Sequence, residues 1–133
     1  TPSADLVAAF EFAGVQPVGH SIIVHHENDM PVQLEERFVN ATLVPDYDKQ
    51  DFQAVTTYDY LQKSTPLTEI EHVISAVAVD PQTAGLLRLD PGEPCLHLYR
   101  RTWTGSTVAT VNRLIYAGSR YSLGSRYAPA TAG

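Results

Sequence analysis

Paired carboxylates are the pattern of general acid–base work, and the sequence has two such pairs, Glu69 with Glu71 and Glu35 with Glu36. On a strand Glu69 and Glu71 share one face, yet carboxylates on a sheet face are more often solvated than catalytic. Metal ligation needs clustered donors. His25 and His26 are adjacent, so on a strand they point to opposite faces and cannot bind one ion together. His72 and His97 stand far apart with no matching cluster, and no metal is expected. Asp46, Asp48 and Asp51 resemble part of a calcium loop, but the Gly and the bidentate Glu at the required offsets are missing. The glycines never fall into GxxxxGK or GxGxxG spacing, and there is no GxSxG elbow. No catalytic residue and no cofactor are expected; the chemistry points to binding.

The elements that must position these groups follow from periodicity. Ser3 or Asp5 caps a helix reaching about Phe12, with Leu6, Val7, Phe10 and Ala13 at helical spacing and Gly14 as its stop. Gly19–His26 reads as a strand, Glu27–Pro31 as a turn and Val32–Val39 as the returning strand. Pro45–Gln53 is an acidic loop. Thr56 or Thr57 caps a short helix, Tyr58–Lys63, which Pro66 ends. Leu67–Val79 is a long strand, and Asp80-Pro81 opens a helix to Leu87 or Leu89. After the turn Asp90–Pro94, Cys95–Trp103 and Thr107–Ala117 form a hairpin around Thr104–Ser106. Gly118–Tyr127 reads as a loop. Hairpins and a lone long strand predict an α+β fold, a mostly antiparallel sheet flanked by helices.

A length of 133 residues suits one compact domain. The formal net charge of -6 argues against a nucleic-acid-binding surface on this chain, because phosphate contacts need clustered Lys and Arg. The few basic residues are mostly Arg, which favours planar, bidentate carboxylate contacts. Cys95 stands alone and reads as a packed strand thiol. No stretch approaches the ~20 apolar residues of a membrane span, and no signal-peptide pattern opens the chain. A cytoplasmic domain is expected. Thr1-Pro2-Ser3 has no initiating Met, so a fragment of a larger protein is expected.

Five runs carry a family likeness together: HSIIVHHENDMPVQLEERFVN (His20–Asn40), PDYDKQDF (Pro45–Phe52), TYDYLQKSTPLTEIEHVISAV (Thr57–Val77), EPCLHLYRRTW (Glu93–Trp103) and GSRYSLGSRY (Gly118–Tyr127). From about Asp5 to Tyr127 the chain resembles the effector-binding (UTRA) domain of GntR-type transcriptional repressors. The EERFVN and EHVISAV runs resemble the branch that governs histidine utilization. The resemblance implies a chorismate lyase-like fold, a homodimer and a small-molecule pocket. It also implies a winged helix-turn-helix domain before this one, absent from this chain together with the effector domain's first strand. The implied effector is urocanate, which releases the operator on binding.

Urocanate is a flat anion with a carboxylate at one end and an imidazole at the other. Its pocket needs a cation or N–H donors, an acceptor, and flat apolar walls. Gln33, Glu35 and Arg37 share one strand face. The resemblance implies that Glu35 lines the pocket, where it can accept from the imidazole N–H. It places His25 where related domains carry an arginine, so the cation must come from elsewhere. Arg37 is the first choice, with Arg100 and Arg113 as alternatives. The start of the short helix, with the Thr56 and Thr57 hydroxyls, is a natural seat for a carboxylate. Thr110, Asn112 and Tyr116 share a face, and the resemblance implies pocket roles for Tyr58, Thr110 and Tyr116.

The same residues fit plainer roles. Glu35 and Arg37 fit a cross-strand ion pair, Tyr58 and Tyr116 half-buried aromatics, and His25 a sheet histidine. Trp103 fits the core or a dimer interface. Ordering of Pro45–Tyr58 by ligand is the expected route from binding to signal. The rival functions are a lyase acting on a small aromatic carboxylate, a pure dimerisation module, and a sensor for a different small anion.

Overall fold

A computed structural model describes residues 3–14, 16–44, 67–124 and 126. The expected loop Pro45–Gln53 and helix Tyr58–Lys63 lie outside them. The described elements are helix α1 (Ala4–Ala9), strands β1 (Val18–Glu27), β2 (Met30–Asn40) and β3 (Glu69–Ala78), helix α2 (Pro81–Leu87), and strands β4 (Pro94–Thr104) and β5 (Thr107–Ala117). The strands form one sheet in the order β1-β2-β5-β4-β3, with every neighbouring pair antiparallel. This is the expected α+β architecture.

Local chemistry sets the boundaries. Ser3 caps α1 by accepting from Leu6 N–H, as predicted. The helix ends well before Gly14, because Glu11 takes the left-handed conformation with φ 59°. Phe12 N–H then reaches back to the Val7 carbonyl at 3.1 Å, satisfying a helix-end acceptor. The reversal stacks Phe12 on Phe10 at 5.0 Å. The first hairpin turns on Asn28 and Asp29 alone, both with positive φ, the type I′ geometry that matches strand twist. Met30 and Pro31 therefore belong to β2. Pro31 sits beside an irregularity in the pairing at His25/His26, a place where its missing N–H is tolerated. Asp80 caps α2 by accepting from Thr83 N–H at 2.8 Å.

Both described helices cover the same sheet face. Leu6 and Phe10 of α1 pack on Val108 and Val111, with Phe38, Tyr99 and Trp103 around them. Burying each large apolar side chain contributes about 1.5–3 kcal/mol. Ala84 of α2 packs with Val79 and Cys95. Cys95 is the packed thiol the sequence predicts, and burial pushes it up, so it stays protonated. Trp103 belongs to the α1 core, with the Arg101 guanidinium 4.9 Å from its ring centre.

Candidate functional site

The face turned away from α1 and α2 carries the polar groups. Strand pairing aligns Ser21, Arg37, Asn112, Arg100 and His72 in one row across the sheet. The next row is Ile23, Glu35, Leu114, Leu98 and Ile74, and beyond it His25, Gln33, Tyr116, Leu96 and Ala76. On the other side of Arg37, Val39 aligns with Thr110, Thr102 and Ile70. Side chains in register share a face. The nominated His25, Glu35, Arg37, Arg100, Thr110, Asn112 and Tyr116 are therefore brought together on one surface.

Arg113 is not among them. Alternation makes it impossible for Asn112 and Arg113 to face the same way. Arg113 lies in register with Glu36 and Tyr99 on the helix-bearing face, where it is exposed. There, burial first and the Arg113 charge second push the His97 imidazole down. Arg113 is removed as a partner for a carboxylate in this site. Thr56, Thr57 and Tyr58 lie outside the described residues.

Glu35 is 7% exposed and centres the site. It pairs with Arg37 along its own strand, Nη2 donating to Oε2 at 3.0 Å, so the ion pair is not cross-strand. His25 Nε2 approaches the other carboxylate oxygen at 3.8 Å. Burial alone would raise the Glu35 carboxyl, but His25 and Arg37 together outweigh it and hold the group below its ordinary range. The acceptor is thus an ionised carboxylate at neutral pH.

Two buried asparagines contrast. Asn40 is satisfied at both ends, donating to the Val108 carbonyl and accepting from Thr42 N–H. Asn112 donates to the Arg100 carbonyl at 3.4 Å and to Thr110 Oγ1 at 3.1 Å. Those bonds fix its amide, and its buried Oδ1 has no hydrogen-bond partner among the described residues. Arg37 Nε, in the same row, is also buried and without an acceptor among the described residues. A buried polar atom left unpaired costs about 1–3 kcal/mol, so an open acceptor with an open donor in its row marks a place for a polar ligand. Thr102 completes this corner by sharing a hydrogen bond with Thr110. It is a site residue that sequence reasoning missed.

The floor is apolar. Leu98, Leu114 and Tyr116 form a buried cluster with Leu96 and Leu123 against it. Tyr121 stacks on Tyr116 at 4.8 Å with 28° between the rings. Burial, then Tyr121 and Glu35, push the Tyr116 phenol up against the opposing charge of Arg100, so it remains an O–H donor. The surface runs from a guanidinium and amide, over leucines, to a pair of flat rings. Among the described residues no group of His, Cys, Asp and Glu is placed to hold a metal, and no helix is long and apolar enough to cross a membrane.

Comparison with known proteins places this arrangement. The profile of the UTRA domain matches residues 1–122. A histidine utilization repressor of Pseudomonas aeruginosa is 52% identical over 112 residues, which are 84% of this chain and 45% of that protein. The chain thus spans less than half the length of that relative. The C-terminal domain of a histidine utilization repressor from Pseudomonas syringae pv. tomato superposes with a TM-score of 0.89 at 49% identity, covering 94% of this chain and 89% of that one. The effector domain of PhnF from Mycobacterium smegmatis has the same fold, with a TM-score of 0.86 at 20% identity over 96% of this chain and 81% of that one.

Proposed function

The chain belongs to the UTRA domain family, and from that membership we propose that it senses urocanate for a repressor of histidine utilization genes. Two relatives named as histidine utilization repressors, each about half identical to this chain, support the pathway. The observation that carries the ligand is the open pair on one buried row, Arg37 Nε as donor and Asn112 Oδ1 as acceptor. In this reading the urocanate carboxylate accepts from Arg37. The imidazole N–H donates to Glu35 or to Asn112 Oδ1. The conjugated plane lies over Leu98 and Leu114 and meets the Tyr116 and Tyr121 rings, the flat apolar setting such a ligand needs.

The role is regulatory rather than catalytic. Ligand binding weakens the hold of the whole repressor on its operator through differential affinity for two states. Operator contacts belong to a winged helix-turn-helix domain outside this chain, consistent with the net charge of -6 here. The sensor acts as a homodimer and works in the cytoplasm without a cofactor. The test is isothermal titration of the chain with urocanate, with histidine and glucosamine 6-phosphate as controls. Saturable binding of urocanate alone, recovered unchanged after long incubation, is the expected result. Conversion of the compound would identify a lyase, and preference for the sugar phosphate a different sensor.

A further inference from the structure

Arg120 belongs to the GSRY run, and the binding chemistry above gives it no role. Its guanidinium collects three backbone carbonyls from two separate elements. Nη1 donates to the Pro31 carbonyl at 3.0 Å and to the Leu87 carbonyl, and Nη2 donates to the Arg88 carbonyl at 2.7 Å. Leu87 ends α2, and the last carbonyls of a helix have no partner within it. They also carry partial negative charge, which favours a cation there. Pro31 is the second residue of β2.

The next residue reaches round to the other face. Tyr121 stacks on Tyr116, and Leu123 packs on the cluster beneath the polar rows. The segment leading there is held at Gly118, whose backbone lies against the Pro94 carbonyl, and by Arg120 N–H bonded to the Ala117 carbonyl at 3.0 Å. One side chain therefore joins the end of α2 to the aromatic wall of the site.

We propose that Arg120 is a positioning residue: by clasping the Pro31, Leu87 and Arg88 carbonyls it fixes Tyr121 against Tyr116 and so sets the aromatic wall of the effector site. A planar fork can do this because it holds two nitrogens in fixed places, whereas a lysine has its three donors on one nitrogen and cannot fill the positions of both Nη1 and Nη2. The inference deepens the urocanate reading and rests on it for its effect on affinity.

Arg120→Lys and Tyr121→Ala, singly and together, test it. The readouts are the ring-current-shifted aromatic NMR resonances of the free chain, urocanate affinity by calorimetry, and circular dichroism. In Arg120→Lys the sheet is expected to persist, with the Tyr121 resonances moving toward unstacked values and urocanate bound about tenfold more weakly, the scale of an ordinary coupling. In the Tyr121→Ala background Arg120→Lys should weaken binding no further. Unchanged Tyr121 resonances, losses that multiply in the double variant, or an unfolded Arg120→Lys chain would overturn the proposal. Should the unsubstituted chain not bind urocanate, the ligand reading fails, while the resonances still decide the clasp.

Discussion

Arg37 and Asn112 owe their standing to single atoms. Arg37 spends one nitrogen on Glu35 and keeps Nε open, and Asn112 spends its amide nitrogen and keeps Oδ1 open. Arg37→Ala should therefore weaken urocanate binding about tenfold to a hundredfold, the range of a lost charged hydrogen bond. Arg113→Ala, on the opposite face, should leave the dissociation constant unchanged. Calorimetry on both variants checks this in one series. Glu35 gives a pH prediction. Its folded carboxyl lies below its ordinary 4.5, so its contribution to stability is fully present above that value. It is lost as pH falls through the lower folded value. Denaturant titrations between pH 6 and 3 should show a shallower loss of stability in Glu35→Gln than in the parent chain. Strand parity made the company of Glu35, Arg37, Thr110, Asn112 and Tyr116 legible in the sequence, and applied to Arg113 it would have removed that residue. Thr102 was open to the same parity argument, two residues beyond Arg100 on β4 and paired with Thr110 in the same register as Arg100 with Asn112.

At the scale of elements, the strands and both hairpins were readable because alternation and turn residues agree. The end of α1 was not, since Glu11 adopts a left-handed backbone that its side chain does not announce. What rewards it is the return of Phe12 onto Phe10 and the core around Val108 and Val111, a packing gain that overrides local propensity. Gly118 shows the reverse case, a residue whose identity matters only once the fold is known. A Cβ there would stand 2.6 Å from the Pro94 carbonyl oxygen. Gly118→Ala should destabilise the chain by about 1–3 kcal/mol, the usual cost of overpacking against a fixed backbone. Denaturant unfolding measures it. An unchanged midpoint would mean that the turn after β5 yields, and with it the placing of Tyr121.

For the whole molecule, the sheet divides the labour between its faces. One face is sealed by α1 and α2 around Val108, Val111 and Cys95. The other keeps a buried carboxylate, guanidinium, amide and hydroxyls in register. Among the described residues β3 is an edge strand with Ile70, Val73 and Ile74 exposed, an apolar margin of the kind that a second copy can cover. Sedimentation of the chain should accordingly give twice its 14.6 kDa; a species of single mass at high micromolar concentration would count against the homodimer. Family membership was legible in quoted runs of sequence. The way binding becomes a signal was not, because the segment Pro45–Tyr58 nominated for it lies outside the described residues.

Whether the polar face holds urocanate is decided by calorimetric titration of this chain with that compound. Saturable one-site binding of urocanate that drops in Arg37→Ala and is absent for glucosamine 6-phosphate is the predicted result. Binding of equal strength in the parent chain, Arg37→Ala and Glu35→Gln would contradict it, because the ligand would then sit away from the row that defines the site.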